Sequence, residues 1–311
     1  DRDIQIFSQE ILRKQLLNLK NKNVKDGAVL VLENSTGNVL AYVGGAGRDT
    51  SSAYEMDGVR SRRQAGSTLK PFIYGLALQK KIITDNTLLN DNPADFQVGT
   101  GIYSPSNYQD SFHGDVTARV ALASSLNIPA VKVLSMLDLN EFVSILGELG
   151  FTELREADYY GLSIALGSLD INLKELTNAY RVLANDGMYS EIRIKEDDPR
   201  YVPKQIFKKE TADLIRDILS DKEARALSFG LENPLVTRHI ASVKTGTSKD
   251  MRDNWCVGYN RKYTVGVWVG NFSGEPMWNV SGVTGAAPAW RDIMNKLSEG
   301  EMQVVETKKN Q

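Results

Sequence analysis

The chain has 311 residues, 41% hydrophobic and 24% charged, with a net charge of −2. That is the make-up of an ordinary soluble globular protein with core enough for one large domain or two small ones. The charge balance argues against a nucleic-acid or anionic-membrane surface, and no apolar run approaches the roughly 18 residues that span a bilayer.

No signal peptide is evident, and the start at Asp1 rather than Met suggests a fragment or a processed product. Within residues 3–20, Ile4, Phe7, Ile11, Leu12, Leu16 and Leu19 recur at helical spacing and predict an amphipathic helix with one face to bury. Residues 21–26 read as a polar joint. Residues 28–32 and 39–43 are apolar or β-branched runs joined by the turn residues Asn34, Ser35 and Gly37, the pattern of a hairpin. Gly44, Gly45 and Gly47 follow without the spacing of a phosphate loop.

The stretch Gly66-Ser67-Thr68-Leu69-Lys70-Pro71 lies between the basic run 60–63 and the apolar segment 72–78. Phe72, Ile73, Leu76 and Ala77 predict a buried helix whose first turn carries Ser67 and Lys70 on one face. Pro71 keeps that helix from extending far upstream, which puts Ser67 at its positive end. Lys70, as the residue before proline, is biased away from helical angles. A serine hydroxyl becomes a nucleophile when a base takes its proton. The two histidines, His113 and His239, lie in a polar stretch and near a strand start. Lysine is the remaining candidate, because burial beside another cation lowers its pKa. On this pair alone a capping serine beside a solvated lysine stays open as the plainer explanation.

Residues 82–114 are rich in Asn, Asp, Pro and Gly, with isolated Phe96, Tyr103, Tyr108 and Phe112. They read as a long loop forming one wall of a cleft, or as small loop cores. Two helical segments, 117–125 and 129–137, flank a break at Ser125 and Asn127 that Pro129 helps to fix. Helices over 141–149 and 174–185 follow, the second closed by Gly187. Residues 188–209 are polar, with a charge run at 195–200 that reads as solvated. A helix over 210–219 comes next. Alternation from Ile240 to Thr245, then the runs 255–259 and 263–269, predict an antiparallel meander. Cys256, the lone cysteine, sits inside it and reads as core packing. With the first hairpin this makes five strands, one face covered by the N-terminal helix and a helix over 289–297. The tail from Gly300 reads as polar and loose.

Ser125-Leu126-Asn127 is the only S-x-N in the chain and Lys244-Thr245-Gly246 the only K-T-G, 58 residues beyond Ser67 and a further 119 beyond Ser125. An S-x-N pair alone often only caps helices. In this order after S-x-x-K, the three follow the pattern of penicillin-binding proteins and class A β-lactamases. Beyond the motifs, residues 66–72, 116–133 (VTARVALASSLNIPAVKV), 244–248 and 281–294 (SGVTGAAPAWRDIM) resemble the transpeptidase domain of class A penicillin-binding proteins. The details resemble the 1C-type subgroup, and the similarity spans about residues 25–297.

That resemblance implies an α+β fold of the β-lactamase and transpeptidase type: a five-stranded antiparallel sheet covered by helices, a mostly helical subdomain, and the active site between them. It divides the chain into a linker helix (1–24), the penicillin-binding transpeptidase domain (25–299) and a polar tail (300–311). An edge strand bearing Lys244 would hold an extended peptide by strand addition. By resemblance, Ser67 attacks the penultimate D-Ala carbonyl of a peptidoglycan stem ending in D-Ala-D-Ala, and Lys70 takes the serine proton. Ser125 and Lys244 return a proton to the leaving D-Ala amine, while Asn127 positions Lys70 and the substrate amide. The backbone N–H groups of Ser67 and Thr247 form the oxyanion hole. Thr245 and Thr247 hydroxyls bind the terminal carboxylate with Lys244, and Gly246 leaves room for it.

An amine from a neighbouring stem then completes a cross-link, and β-lactams acylate the same serine. No metal or organic cofactor is implied. The resemblance also implies an upstream glycosyltransferase module and membrane anchor, and a place in the bacterial periplasm or on the outer face of the cytoplasmic membrane. Three other readings use the same motifs: a serine β-lactamase, a D,D-carboxypeptidase and a non-catalytic penicillin sensor. A β-lactamase would need a water-activating carboxylate such as Glu175, with Asn178. The helix pattern Leu173, Leu176, Ala179, Tyr180, Leu183 and Ala184 instead marks that segment as core and predicts slow deacylation. The subgroup's poor binding of many penicillins leaves the choice of β-lactam open.

Overall fold

Strand β1 (Asp26–Glu33) is buried along seven of its eight residues, as an apolar run covered on both faces must be. It pairs antiparallel with β2 (Val39–Val43), through a register shift at Val31 and Leu32, and with the last sheet strand, β5 (Tyr263–Gly270). Strands β3 (Ser242–Thr247) and β4 (Asp253–Tyr259) complete one sheet in the order β3-β4-β5-β1-β2, every neighbour antiparallel. The protein is described here by a computed structural model covering residues 1–51, 53–98, 101–107 and 111–309. Tyr108 lies outside the described residues.

Side-chain alternation along the strands divides two cores. Val29 and Val31 face helix α1 (Arg2–Asn18) and helix α8 (Ala287–Lys309), where Leu12, Leu16, Cys256, Trp290 and Ile293 are buried with them. Ala28, Leu30 and Leu32 face the other way, onto Phe72 of α2 (Lys70–Gln79) and Tyr180 of α6 (Leu173–Ala184). Between α2 and α6 in the chain come α3 (Ala118–Ala123), α4 (Asn127–Ser135) and α5 (Leu139–Glu148), and α7 (Lys209–Ser220) follows α6. The helices on this face form the second layer, and the cleft opens between them and β3.

Two expectations change, and one local tension is resolved. Helix α8 runs to Lys309 rather than ending near Leu297 with a loose tail, because Glu, Met, Gln and Lys at its end are strong helix formers. The stretch 82–114 contains strand pairs: residues 88–90 with 115–117, and 96–98 with 101–103. Lys70 adopts helical angles (φ −53°, ψ −42°) despite preceding proline, since α2 is buried along most of its length and packing outweighs the local bias. Among the described residues no helix is long and apolar enough to cross a membrane.

Candidate active site

Ser67 sits in a 3₁₀ turn, Gly66–Leu69, that leads directly into α2. The turn is clamped on two sides. Ala65 N–H donates to Leu169 O (3.0 Å) and Gly66 N–H to Gly167 O (3.4 Å), while the buried Tyr180 hydroxyl donates to Thr68 O (2.7 Å). At the start of the turn, Ser67 N–H has no intrahelical partner, and the Ser67 side chain lines a cleft of about 1240 Å³.

Glycine lets β3 press against this turn. A Cβ on Gly66 (φ +54°) would lie 2.6 Å from Thr247 O, and one on Gly246 would lie 2.8 Å from Ala65 O and 2.6 Å from Thr68 Cγ2. The room that Gly246 leaves is therefore filled by the nucleophile turn itself. Gly167 (φ +82°) closes the stack from the other side, its missing Cβ 2.0 Å from Gly66 N.

Strand β3 is a sheet edge, paired only with β4. Ser248 N–H donates to Asp253 O across that pairing, so by the two-residue period the N–H groups of Thr247 and Thr245 point to the open edge. Thr245 and Thr247 line the cleft. Thr247 Oγ1 accepts from Gly282 N–H (3.0 Å), which leaves its own proton free to donate.

The two lysines lie behind the cleft surface, Lys70 fully buried and Lys244 2% exposed. Lys244 Nζ donates to Ser125 Oγ (2.7 Å) and Thr245 O (2.8 Å). Lys70 Nζ donates to Ser125 O (2.6 Å), Leu126 O (3.1 Å) and Asn127 Oδ1 (2.7 Å), with Ser125 Oγ at 3.5 Å. Among the described residues no hydrogen bond joins Lys70 to Ser67, one helical turn away. The strong acceptors of the S-x-N turn hold the amine instead. Burial pushes the Lys70 pKa well below its usual value, the Lys244 charge adds to this, and Asp91 opposes it. Burial lowers Lys244 to about 7, with Cys256 opposing and Arg225 adding.

Ser125 reaches both lysines through an uncommon backbone, φ +61° in the left-handed region, which costs a non-glycine residue about 1–2 kcal/mol. Asn127 opens α4, with its N–H on Asn107 Oδ1 (2.9 Å) and its Nδ2 on Ser106 O (2.8 Å).

The structure thus brings Ser67, Lys70, Ser125, Asn127, Lys244, Thr245, Gly246 and Thr247 into one place. Of the described residues in this stretch, Tyr103, Asn107 and His113 line the cleft, whereas Phe96 packs on the core and Phe112 is exposed. Glu175 lies elsewhere, beside Asn178 in a second pocket, with its carboxylate on Arg62 (2.9 Å) and Thr152 Oγ1 (2.6 Å). Sequence reasoning missed Gly66, Gly167, Asp91, Asn107 and Arg225. Only the clustered Asn and Asp of 82–114 gave any signal for the second pair. Among the described residues no group of three or more His, Cys, Asp or Glu could hold a metal ion.

Residues 27–295 match the penicillin binding protein transpeptidase domain. The chain is 34% identical over 272 residues to penicillin-binding protein 1C of Escherichia coli, which covers 87% of the chain and 34% of that protein. It is 30% identical over 291 residues to penicillin-binding protein 1A of Aquifex aeolicus, covering 88% and 38%. The chain spans little more than a third of the length of the curated relatives it matches. In fold it resembles the crystal structure of penicillin-binding protein 1A from Haemophilus influenzae (TM-score 0.75, 23% identity, 88% of this chain and 47% of that one). It also resembles the PonA1 protein from Mycobacterium tuberculosis in complex with penicillin V (TM-score 0.78, 22% identity, 95% and 83%).

Proposed function

Because the chain belongs to the penicillin-binding-protein transpeptidase family, we propose that it is the peptidoglycan cross-linking domain of a longer enzyme, acting through an acyl-enzyme on Ser67. The observation that carries the reading is the continuous contact Lys70–Ser125–Lys244 behind a serine that opens on a cleft beside a free strand edge.

A donor stem ending in D-Ala-D-Ala lies along β3, its terminal carboxylate on the Thr245 and Thr247 hydroxyls near Lys244. Ser67 Oγ bonds to the penultimate D-Ala carbonyl carbon as its proton passes to Lys70 in the neutral form. The developing oxyanion accepts from Ser67 N–H and Thr247 N–H, the kind of contact worth about 3 kcal/mol per donor. The C–N bond then breaks. The terminal D-Ala amine takes a proton from Ser125 Oγ, which Lys244 replenishes, and D-Ala leaves. An amine of a second stem attacks the ester, loses its proton through the same groups and releases Ser67. A cleft of about 1240 Å³ exceeds the roughly 300–1,000 Å³ of a site for one small ligand and has space for two peptide chains.

β-Lactams acylate the same serine in this reading. Glu175 is occupied by Arg62 and lies outside the cleft, so no water-activating device of that kind faces Ser67, and the adduct is long-lived. The helix α1 joins the domain to an upstream glycosyltransferase module and membrane anchor, and the domain works in the periplasm or on the outer face of the cytoplasmic membrane.

Intact-mass measurement after incubation with a panel of β-lactams tests the reading: a persistent adduct on the native chain and none on Ser67→Ala. With a stem pentapeptide and an amine acceptor, a new amide product is expected. Adduct on the alanine variant overturns the assignment, and hydrolysis alone makes the domain a carboxypeptidase.

A further inference from the structure

Beneath the S-x-N turn lies a carboxylate that belongs to none of the three motifs. Asp91 is fully buried. Both of its oxygens accept from Asn107 Nδ2 (2.9 Å each), and Oδ2 also accepts from His113 N–H (3.1 Å). These partners are neutral donors. Asn107 carries the contact onward: its Oδ1 accepts Asn127 N–H (2.9 Å), its Nδ2 also holds Ser111 O (2.8 Å), and Asn127 Oδ1 in turn accepts from Lys70 Nζ (2.7 Å). A line of contacts thus runs from a buried acid through the Asn107 amide to the Asn127 backbone, and from the Asn127 side chain to the amine.

We propose that Asp91 is a positioning residue for acylation, acting through Asn107 to aim Asn127 and supplying the counter-charge for the buried ammonium of Lys70. The proposal rests on the serine acyl-transfer reading above. A buried charge without compensation is costly, and a buried acid and a buried amine offset each other. Lys244 from β3 and Asp91 from the loop act on Lys70, and Asp91 also acts on Tyr74, one turn further along the same helix. The S-x-N turn adds the neutral Ser125 and Asn127. The segment Gly161–Leu166, packed on the nucleophile turn, adds no titratable side chain. Arg225 and Cys256 act on Lys244. Asp91 is the acid that opposes Lys244 at Lys70.

The two roles separate by substitution. In the 311-residue chain, kcat/KM for a D-alanyl thioester is measured against pH for the wild type, Asp91→Asn, Asp91→Ala and Asn107→Ala, with thermal melting alongside. Asp91→Asn keeps an acceptor oxygen and loses the charge. Its plateau is expected to fall less than that of Asp91→Ala, and its acid limb is expected at lower pH, because Lys70 loses the neighbour that favours its protonated form. Asp91→Ala and Asn107→Ala are expected to lower the plateau about tenfold or more through misplacement of Asn127, Asn107→Ala without the shift in the acid limb. An Asp91→Asn profile superimposed on wild type, or a wild-type plateau in either folded alanine variant, overturns the proposal. If Asp91→Ala does not fold, Asp91→Asn and Asn107→Ala decide it. A wild-type chain that neither turns over the thioester nor takes a β-lactam refutes the parent reading instead.

Discussion

Ser125 Oγ accepts a 2.7 Å hydrogen bond from Lys244 Nζ while its own backbone stands at φ +61°. The residue that links the two buried amines is thus held in a conformation that glycine would adopt without strain. Ser125→Gly and Ser125→Ala both remove the hydroxyl, but only the glycine relieves the backbone. Ser125→Gly is expected to be more stable than Ser125→Ala by about 1 kcal/mol, with both slowing acylation by about a hundredfold or more. Denaturant midpoints and acylation rates of the two variants check this, and equal stability would count against strain at Ser125.

The approach of β3 to the nucleophile turn predicts a steep cost at Gly66. Gly66→Ala meets both a positive φ and Thr247 O at 2.6 Å, whereas Gly114→Ala meets a positive φ (+67°) with nothing within 4 Å. Gly66→Ala is expected to lose at least about 2 kcal/mol and Gly114→Ala about 1 kcal/mol. Acylation is expected to fall about a hundredfold only in the first, because the strand and the turn move apart. Similar losses of activity in both would dissociate the glycine stack from the site geometry.

Lys244 makes folding depend on pH in a definite direction. Its pKa is 10.5 when unperturbed and about 7 when buried, so between those values the unfolded chain binds more protons and wild-type stability rises with pH. Below about 7 both states carry the charge and the burial penalty is complete. Lys244→Met removes the penalty. Its gain in Tm over wild type is expected to be largest below about pH 7 and to shrink toward about pH 10. A difference independent of pH would show that Lys244 is not held low in the folded chain.

Glu175 separates a long-lived acyl-enzyme from rapid β-lactam turnover. Its carboxylate is taken by Arg62 and Thr152 in a pocket apart from Ser67. Glu175→Gln is expected to lower stability by about 1 kcal/mol, since Arg62 loses the more buried of its two carboxylate partners and keeps Glu153. The lifetime of the β-lactam adduct, followed by intact mass, is expected to stay within about twofold. A large increase in that lifetime would make Glu175 a deacylating residue.

The hairpin at residues 26–43, the meander at 242–270 and the helix behind Ser67 were legible because strand and helix periodicities and turn residues act over a few neighbours. Pro71 placed the start of α2 for the same reason: a fixed φ and a missing N–H are local facts. The order of the three motifs named the candidate site as well. Lys70 stands in the first turn that the helical spacing predicts, because the local bias at the residue before proline yields to burial along α2. The extension of α8 was missed because a polar composition was read as loose although its residues favour helix.

By itself, then, the sequence determined the central sheet strands, most of the helices and which side chains could do chemistry. The tertiary structure alone decided that Lys70 donates to the S-x-N turn rather than to Ser67, that Gly66, Gly167 and Gly246 are small so that three chain segments can touch, and that Asp91 and Arg225 sit behind the two lysines. Those facts join residues tens to more than a hundred positions apart. Periodicity records only whether a residue is covered, whereas partner, distance and local charge arise when the layers close on one another.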